Sequence, residues 1–219
     1  MAGARRGGVA ADRKVRLADA VDAPALDLGE PVTTERLVLR AFRESDLDDV
    51  HALQSDPEVV RYLYWEVRSR EESRDWLRVR MAENRLESEG DAIAYAVERR
   101  SDGRVIGSVN AWWRSAAHRQ GEIGFAFARD AQGRGYASEA TTALLDLVFE
   151  RLDLHRVYAS TDARNEASAA LLRRLGLRQE AHLREHELFK GEWGDLLVFA
   201  VLRSEWDRHR AAARAPDPA

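Results

Sequence analysis

The sequence predicts a mixed α+β fold, one domain built around a central sheet with helices packed on it. Three observations point there. The stretch 122–147, EIGFAFARDAQGRGYASEATTALLDL, reads as a buried strand, a loop with two glycines and a helix in immediate succession. Ala92–Arg99 and 104–113 are β-type runs joined by Ser101-Asp102-Gly103, a hairpin signal. Beyond residue 155, strand-like and helix-like stretches alternate, so an opening meander gives way to strands separated by helices.

Taken in order, residues 1–31 are rich in Ala, Gly, Arg and Asp without sustained periodicity. They are expected to form a mostly disordered extension with a short helix near 13–20. Leu37 and Leu39 alternate with polar neighbours over 34–40, a first strand. Ser45 is expected to cap a short helix carrying Leu47, Val50 and Leu53, and Asp56-Pro57 opens another helical turn. A dense apolar and aromatic patch follows, from Val59 to Trp65. Ser69 then opens a helix expected to reach about 88, with Trp76, Leu77 and Met81 inward.

In the central unit, Phe125 and Phe127 mark the strand 122–128, and Gly124 within it signals a bulge or a close backbone approach. Ala140, Leu144, Leu147 and Val148 place one apolar face on the helix that follows. A strand over 155–161, a helix over 165–175 ending at Gly176, and strands over 177–189 and 196–202 around a 190–194 turn complete the core. No internal repeat or linker divides it.

Composition narrows the class. At 219 residues the chain is long enough for one domain with a sizeable core. A net charge of −4 argues against nucleic acid as the main partner. The absence of Cys excludes disulfides, thiolate nucleophiles and zinc–sulfur sites. No apolar run approaches the roughly 18 residues of a membrane span, so no membrane association is expected. The N-terminus has no apolar core of a signal peptide, and a cytoplasmic location is the expectation. Lys14 and Lys190 are the only lysines.

The loop between central strand and helix, Gln132-Gly133-Arg134-Gly135-Tyr136-Ala137, carries the first chemical inference. Glycines feeding a helix N-terminus leave several N–H groups pointing at one spot, where the helix dipole adds positive potential. Such a spot suits phosphate. Gly133-Arg134-Gly135 followed by Ser138 is also a partial dinucleotide fingerprint, but three strands precede it, against the order of a Rossmann unit. No Gly-Lys-Ser/Thr follows, so a nucleoside-triphosphate loop is excluded. Read alone, the loop also fits a plain connection without a ligand.

Gln132-x-x-Gly135-x-Ala137 matches the Q/R-x-x-G-x-G/A signature of the GNAT acetyltransferases. The run EIGFAFARDAQGRGYASEA resembles their RimJ/RimL-type branch, as do TTERLVLRAFRESDLDDV before it and NEASAALLRRLGL after it. The resemblance covers about 33–203. It implies a GNAT-like single domain, with a central, mostly antiparallel mixed sheet flanked by helices. The domain would occupy 32–205 and leave 206–219 as a helical or disordered tail. It also implies acetyl-CoA as co-substrate, no metal, and an amine acceptor.

Further expectations follow residue by residue from the resemblance. The cofactor arm would run along Ala126, Phe127 and Ala128, with the Ala126 amide as oxyanion donor, and the pyrophosphate would sit on Gln132, Gly133, Arg134, Gly135, Tyr136, Ala137 and Ser138. Asn165 would hold the arm. Glu122 and Glu187 are the two candidates for the base that deprotonates the amine. Family members often carry a tyrosine acid seven residues after Asn165, where this chain has Leu172. Ser168 would then protonate the leaving thiolate. Asn165 also fits a simple helix cap, and either glutamate a solvated strand end.

Among the aromatics flanking the expected cleft, Trp65 and Trp193 are candidates to line an acceptor pocket, against the usual packing role of Trp. His182-Leu183-Arg184-Glu185-His186 spells an inverted zincin string, but the flanking Gly176 and Lys190-Gly191 favour an extended segment. In a strand those histidines stand roughly 13 Å apart, too far to share an ion. The expected activity is direct acetyl transfer to a protein N-terminus or a small amine. Antibiotic modification is an alternative acceptor reading, and a non-catalytic acyl-CoA-binding module is a rival of another class. A homodimer is one open assembly state.

Overall fold

The computed structural model describes residues 25–214; the helix expected near 13–20 lies outside them. The chain begins with β1 (Leu26–Asp27), β2 (Val32–Thr33) and β3 (Leu37–Arg40). Leu26 and Leu28 are buried in the main core, so the expected extension gives way to packed structure before residue 31. Their spacing of two around Asp27 puts both on one face of an extended segment. In β3, Leu37 and Leu39 are fully buried, as their alternation predicts.

Two short helices, α1 (Leu47–Gln54) and α2 (Pro57–Val60), lead to α3 (Arg70–Ala82). Ser45 does not cap α1. It lies in a 3-10 turn over Glu44–Asp46, because the Asp46 carboxylate accepts from the Arg43 amide at 2.9 Å and from the Arg40 guanidinium at 2.8 Å. Ser69 caps α3 as expected, and Glu72 completes the capping box by accepting from the Ser69 amide. The helix stops at Ala82 rather than near 88, because Leu86 is recruited into β4 (Arg85–Leu86), which pairs with β1 and is fully buried at Leu86.

The hairpin is β5 (Ala92–Arg99) and β6 (Val105–Ser115), followed by β7 (Gln120–Phe127) and, after the glycine loop, α4 (Tyr136–Leu152). The last third holds β8 (Arg156–Asp162), α5 (Glu166–Arg174), β9 (Arg178–Phe189), β10 (Glu192–Leu202) and α6 (Arg203–Arg214). The turn between β9 and β10 is two residues, not five. Lys190 and Gly191 both take positive φ, 50° and 83°, which matches the twist of a tight hairpin.

Eight strands form one sheet in the order β2-β3-β5-β6-β7-β8-β10-β9. Every neighbouring pair is antiparallel except β7 and β8, which run parallel. Their pairing covers only Gln120–Glu122 against Arg156–Tyr158. Beyond Glu122 the two strands part, leaving a wedge in the middle of the sheet. The apolar stripe of α4, including Ala140, Leu144 and Val148, closes one face of the core.

Residues 206–214 of the expected tail are part of this body. Trp206 on α6 is 2% exposed, stacks on Phe149 at 6.4 Å and donates from Nε1 to Asp146 at 2.9 Å. Trp206→Ala is expected to cost about 3–5 kcal/mol, the range for emptying a buried aromatic site, read as a lowered thermal midpoint. An unchanged midpoint would mean that α6 contributes nothing to the domain.

Candidate active site

The wedge exposes backbone. Ala128 donates to the Ile106 carbonyl, and the β6–β7 register runs unshifted from there back to Glu122 opposite Trp112. Alternation then turns the amides of Gly124, Ala126 and Ala128 toward β6 and those of Phe125 and Phe127 toward the wedge, while the Ile123 amide closes the last parallel pair with β8. The expected use of the Ala126 amide as oxyanion donor is therefore corrected: that group belongs to the ladder opposite Ser108. Of the three residues expected along the arm, only Phe127 turns its amide to the open edge.

A cavity of about 280 Å³ occupies the wedge and the space beside it. Its sheet wall includes Asn110, Trp112, Glu122 and Phe125, with Asp162 across the gap on β8. The start of α5 contributes Asn165, Ser168 and Leu172, and β9 contributes Glu187 and Phe189. The segment Tyr62, Leu63, Tyr64 and Trp65 forms the roof, with Trp76 and Arg80 of α3 beside it. Lys190 pins this roof: its Nζ donates to the carbonyls of Val60 at 2.8 Å and Trp65 at 2.9 Å.

The two candidate bases come to this one cavity from residues 65 positions apart in sequence, but their surroundings differ. Glu122 is paired with Arg114 at 2.6 Å. Glu187 has no cationic partner among the described residues and accepts from the Tyr64 hydroxyl at 2.9 Å through one oxygen. Partial burial, then Glu187 and the charges of Glu122 and Asp162, push the Tyr64 phenol up to about 12. Tyr64 is 70% exposed as a residue, and the Glu187 hydrogen bond holds its proton in place. The phenol stays protonated at neutral pH and donates. Tyr158, beside Glu122, is also raised, first by burial and then by that carboxylate. In Asp162, burial acts upward but is outweighed by Arg164, which holds the carboxyl below its ordinary range.

Asn165 caps α5, its Oδ1 accepting from the Ser168 amide at 3.1 Å. The cap uses the oxygen of this side chain, and Asn165 also lines the cavity. Leu172 is buried where the tyrosine acid would stand. Trp65 lines the cavity. Trp193 does not: it is 63% exposed, opposite Leu188 near the hairpin tip. The two-residue turn sets the phase of β10 so that Gly194 rather than Trp193 faces inward.

At the glycine loop, Gly133 and Gly135 take φ of 70° and 81°, and Gly135 is the N-cap of α4. Among the described residues, none of the six amides from Gly133 to Ser138 donates to a protein acceptor. The Glu139 carboxylate in the first helical turn does not fill the spot. It accepts from Thr34 Oγ1 at 2.6 Å and from the Arg36 amide and Nε at 2.8 and 2.7 Å. Gln132 donates from its side chain to the Phe127 carbonyl at 3.1 Å, joining loop to strand. These amides are thus left without a protein acceptor, between the Arg36 and Arg174 side chains.

The histidines of the H-x-x-E-H string lie on extended β9, and His182 Nε2 meets Asp195 Oδ2 at 2.6 Å. Among the described residues no group of three His, Asp or Glu side chains is placed to hold a metal ion, and no helix is long and apolar enough to cross a membrane. Sequence reasoning missed Tyr64, Asn110, Arg80 and Lys190 as cavity or roof residues. The aromatic patch 59–65 was the available signal for Tyr64; Lys190 read only as a turn residue.

A model of the "Acetyltransferase (GNAT) domain" family matches residues 36–178. The chain is 32% identical to the uncharacterized N-acetyltransferase p20 of Bacillus licheniformis, over 81% of this chain and 98% of that protein. It is 30% identical to the [ribosomal protein uS5]-alanine N-acetyltransferase of Escherichia coli strain K12, over 38% of this chain and 43% of that one. In three dimensions it is similar to spermidine N-acetyltransferase from Vibrio cholerae, solved in complex with CoA and spermine. There the TM-score is 0.67 at 25% identity, over 79% of this chain and 99% of the other.

Proposed function

The chain belongs to the GNAT acetyltransferases and is an N-acetyltransferase, and from that premise we propose that it moves the acetyl group of acetyl-CoA to a primary amine held in the wedge cavity. The observation that carries this reading is the open edge of β7 running between the six free amides at the start of α4 and the carboxylates around Tyr64. The amides of residues 133–138 fit a pyrophosphate, because they supply donors and a helix dipole without a competing acid. The amides of Phe125 and Phe127 fit an extended arm, which would pair with the edge as an added strand does.

In the reaction, the amine nitrogen attacks the thioester carbon; the C–N bond forms and the C–S bond breaks. The Phe125 amide is the donor best placed for charge developing on the carbonyl oxygen. Glu187 takes the proton of the acceptor ammonium, since its second oxygen has no partner and Tyr64 fixes the first. Ser168 supplies a hydroxyl to the departing sulfur, and Asn165 steadies the arm. Glu122, tied to Arg114, contributes charge near the acceptor rather than proton removal.

The modest volume of the cavity, under a roof pinned by Lys190, favours a small amine over a long peptide. A protein N-terminus is the second reading, because one of the relatives acts on the alanine of a ribosomal protein. Antibiotic modification falls within the small-amine reading. The test is thioester turnover across small amines, aminoglycosides, polyamines and N-terminal peptides, with products identified by mass spectrometry. The expected result is acetylated small amine with stoichiometric free CoA. Peptide products alone would favour the N-terminal reading, and acetyl-CoA that binds without turnover in any class would sink the proposal.

A further inference from the structure

Aromatic rings dominate the wall of the wedge cavity. Trp112 on β6, Tyr64 and Trp65 in the roof and Trp76 on α3 line it, and each keeps accessible surface. Trp112 lies against β7: a Cβ at Gly124 would stand 3.1 Å from its Cζ3 and 3.2 Å from its Cη2. The β6–β7 register continues unshifted through Gly124, so this glycine marks a close approach, by an indole, and no bulge. Arg114 stacks over the Trp112 ring at 5.4 Å and Arg68 over the Trp65 ring at 4.7 Å, and neither arginine belongs to the cavity wall. Trp76 packs edge-to-face with Phe42 at 5.5 Å, and Tyr64 with Phe189 at 5.6 Å. These contacts hold the rings in place before any ligand arrives, which lowers the ordering cost of binding.

The charges in the wall leave one negative centre uncompensated. Asp49, Glu122, Asp162 and Glu187 are its carboxylates. Asp49 meets Arg104 at 3.1 Å, Glu122 meets Arg114 at 2.6 Å and Asp162 meets Arg164 at 2.7 Å. Arg80, the cation in the wall, is matched by Glu83. Glu187 alone among these carboxylates has no cationic partner within the described residues, its near contact being the Tyr64 hydroxyl. A single ammonium balances this wall, whereas a diamine brings a second cation with nothing to pair it. An apolar cavity of about 150 Å³ already holds benzene, so about 280 Å³ admits one ring on a short amine arm. We propose that the acceptor is a primary amine with one positive charge and one aromatic ring, its ammonium at Glu187 and its ring against Trp112.

A ring suits this wall better than an alkyl chain. Ring edges carry partial positive charge and meet the negative faces of neighbouring rings, so edge-to-face and offset contacts add to area burial. A flat group also loses less rotational freedom on binding than a chain of the same area. In the transfer, Glu187 takes one proton from the ammonium, and the neutral nitrogen bonds to the acetyl carbon as the C–S bond breaks. The second nitrogen proton leaves with the thiolate, Glu187 returns its own to water, and the products are the acetamide and CoA thiol. The proposal rests on the acetyltransferase reading above and narrows its acceptor.

The experiment is an acceptor panel of phenethylamine, its saturated counterpart cyclohexylethylamine, ethylamine and putrescine. Acetylation is followed by mass spectrometry, and acetyl-CoA binding to the same preparations by calorimetry. The expected kcat/KM for phenethylamine is at least about tenfold above ethylamine and putrescine, and severalfold above cyclohexylethylamine. In Trp112→Leu the phenethylamine-to-ethylamine ratio should fall by about fivefold or more, through KM, and Trp112→Phe should keep most of it. A merely structural loss would lower both amines together and leave the ratio alone. Gly124→Ala, which displaces the indole with a single methyl, should reduce the same ratio and serves where Trp112→Leu fails to fold. Turnover of any other panel member equal to or above phenethylamine overturns the proposal. So does a ratio that survives the variant, and so does silence across the panel with acetyl-CoA still bound. Loss of acetyl-CoA binding by the wild-type protein would instead sink the acetyltransferase reading itself.

Discussion

Glu187→Gln is expected to lower kcat/KM by about 10²- to 10⁴-fold at neutral pH, the range for removing a positioned general base. Glutamine keeps the size of the side chain and a carbonyl that can accept from Tyr64, so the cavity should persist while proton uptake is lost. The pH dependence separates this from a structural effect. The acceptor amine must be neutral to attack, and without Glu187 only solvent deprotonates it, so the deficit should shrink as pH rises toward the amine's own pKa. Tyr64 does not blur the result, because its phenol, pushed up to about 12, stays protonated through that range. Glu122→Gln should cost less and show no such recovery, since its Arg114 partner already occupies the carboxylate. A wild-type pH–rate profile for Glu187→Gln would remove it from the mechanism, and a recovery seen only with Glu122→Gln would reverse the assignment.

Gly135→Val is expected to abolish measurable acetyl-CoA binding, a loss of more than a hundredfold. Gly135 holds φ at 81°, where a β-branched residue is strongly strained. A Cβ there would also sit 3.3 Å from the Arg36 guanidinium that brackets the loop. Relief of that strain must turn the peptide planes on either side, and with them the amides proposed to hold the pyrophosphate. Arg134→Ala leaves the backbone in place, so binding should fall only severalfold. Calorimetric titration with acetyl-CoA compares the two, and the thermal midpoint checks folding. Equal losses would mean that side-chain charge, not backbone, holds the phosphates.

Much of this was legible in local sequence. The central strand, loop and helix, the hairpin, the Ser69 and Asn165 caps and the Gly176 stop all depend on neighbours within a few positions, where spacing carries the information. The long-range facts were not legible. Tyr64 and Glu187 meet across 123 positions, and nothing near either residue announces the other. The direction of the Ala126 amide depends on which β6 residue stands opposite, and a one-residue change in register would reverse it. Trp193 points outward because the hairpin turn is two residues long; a longer turn would have changed its face. Leu86 left the expected helix because Leu26, sixty positions earlier, offered it a strand partner.

The Lys190 contact has a practical consequence. Between residues 25 and 214 this is the single lysine, and its ammonium is tied to the carbonyls of Val60 and Trp65. An amine-reactive reagent needs the neutral, detached amine, so within this span its rate of labelling counts the moments when the roof lets go. Peptide mapping separates that signal from Lys14. Slower labelling with acetyl-CoA or acceptor bound would measure how far each ligand holds the cavity shut, using only the chemistry of the native chain.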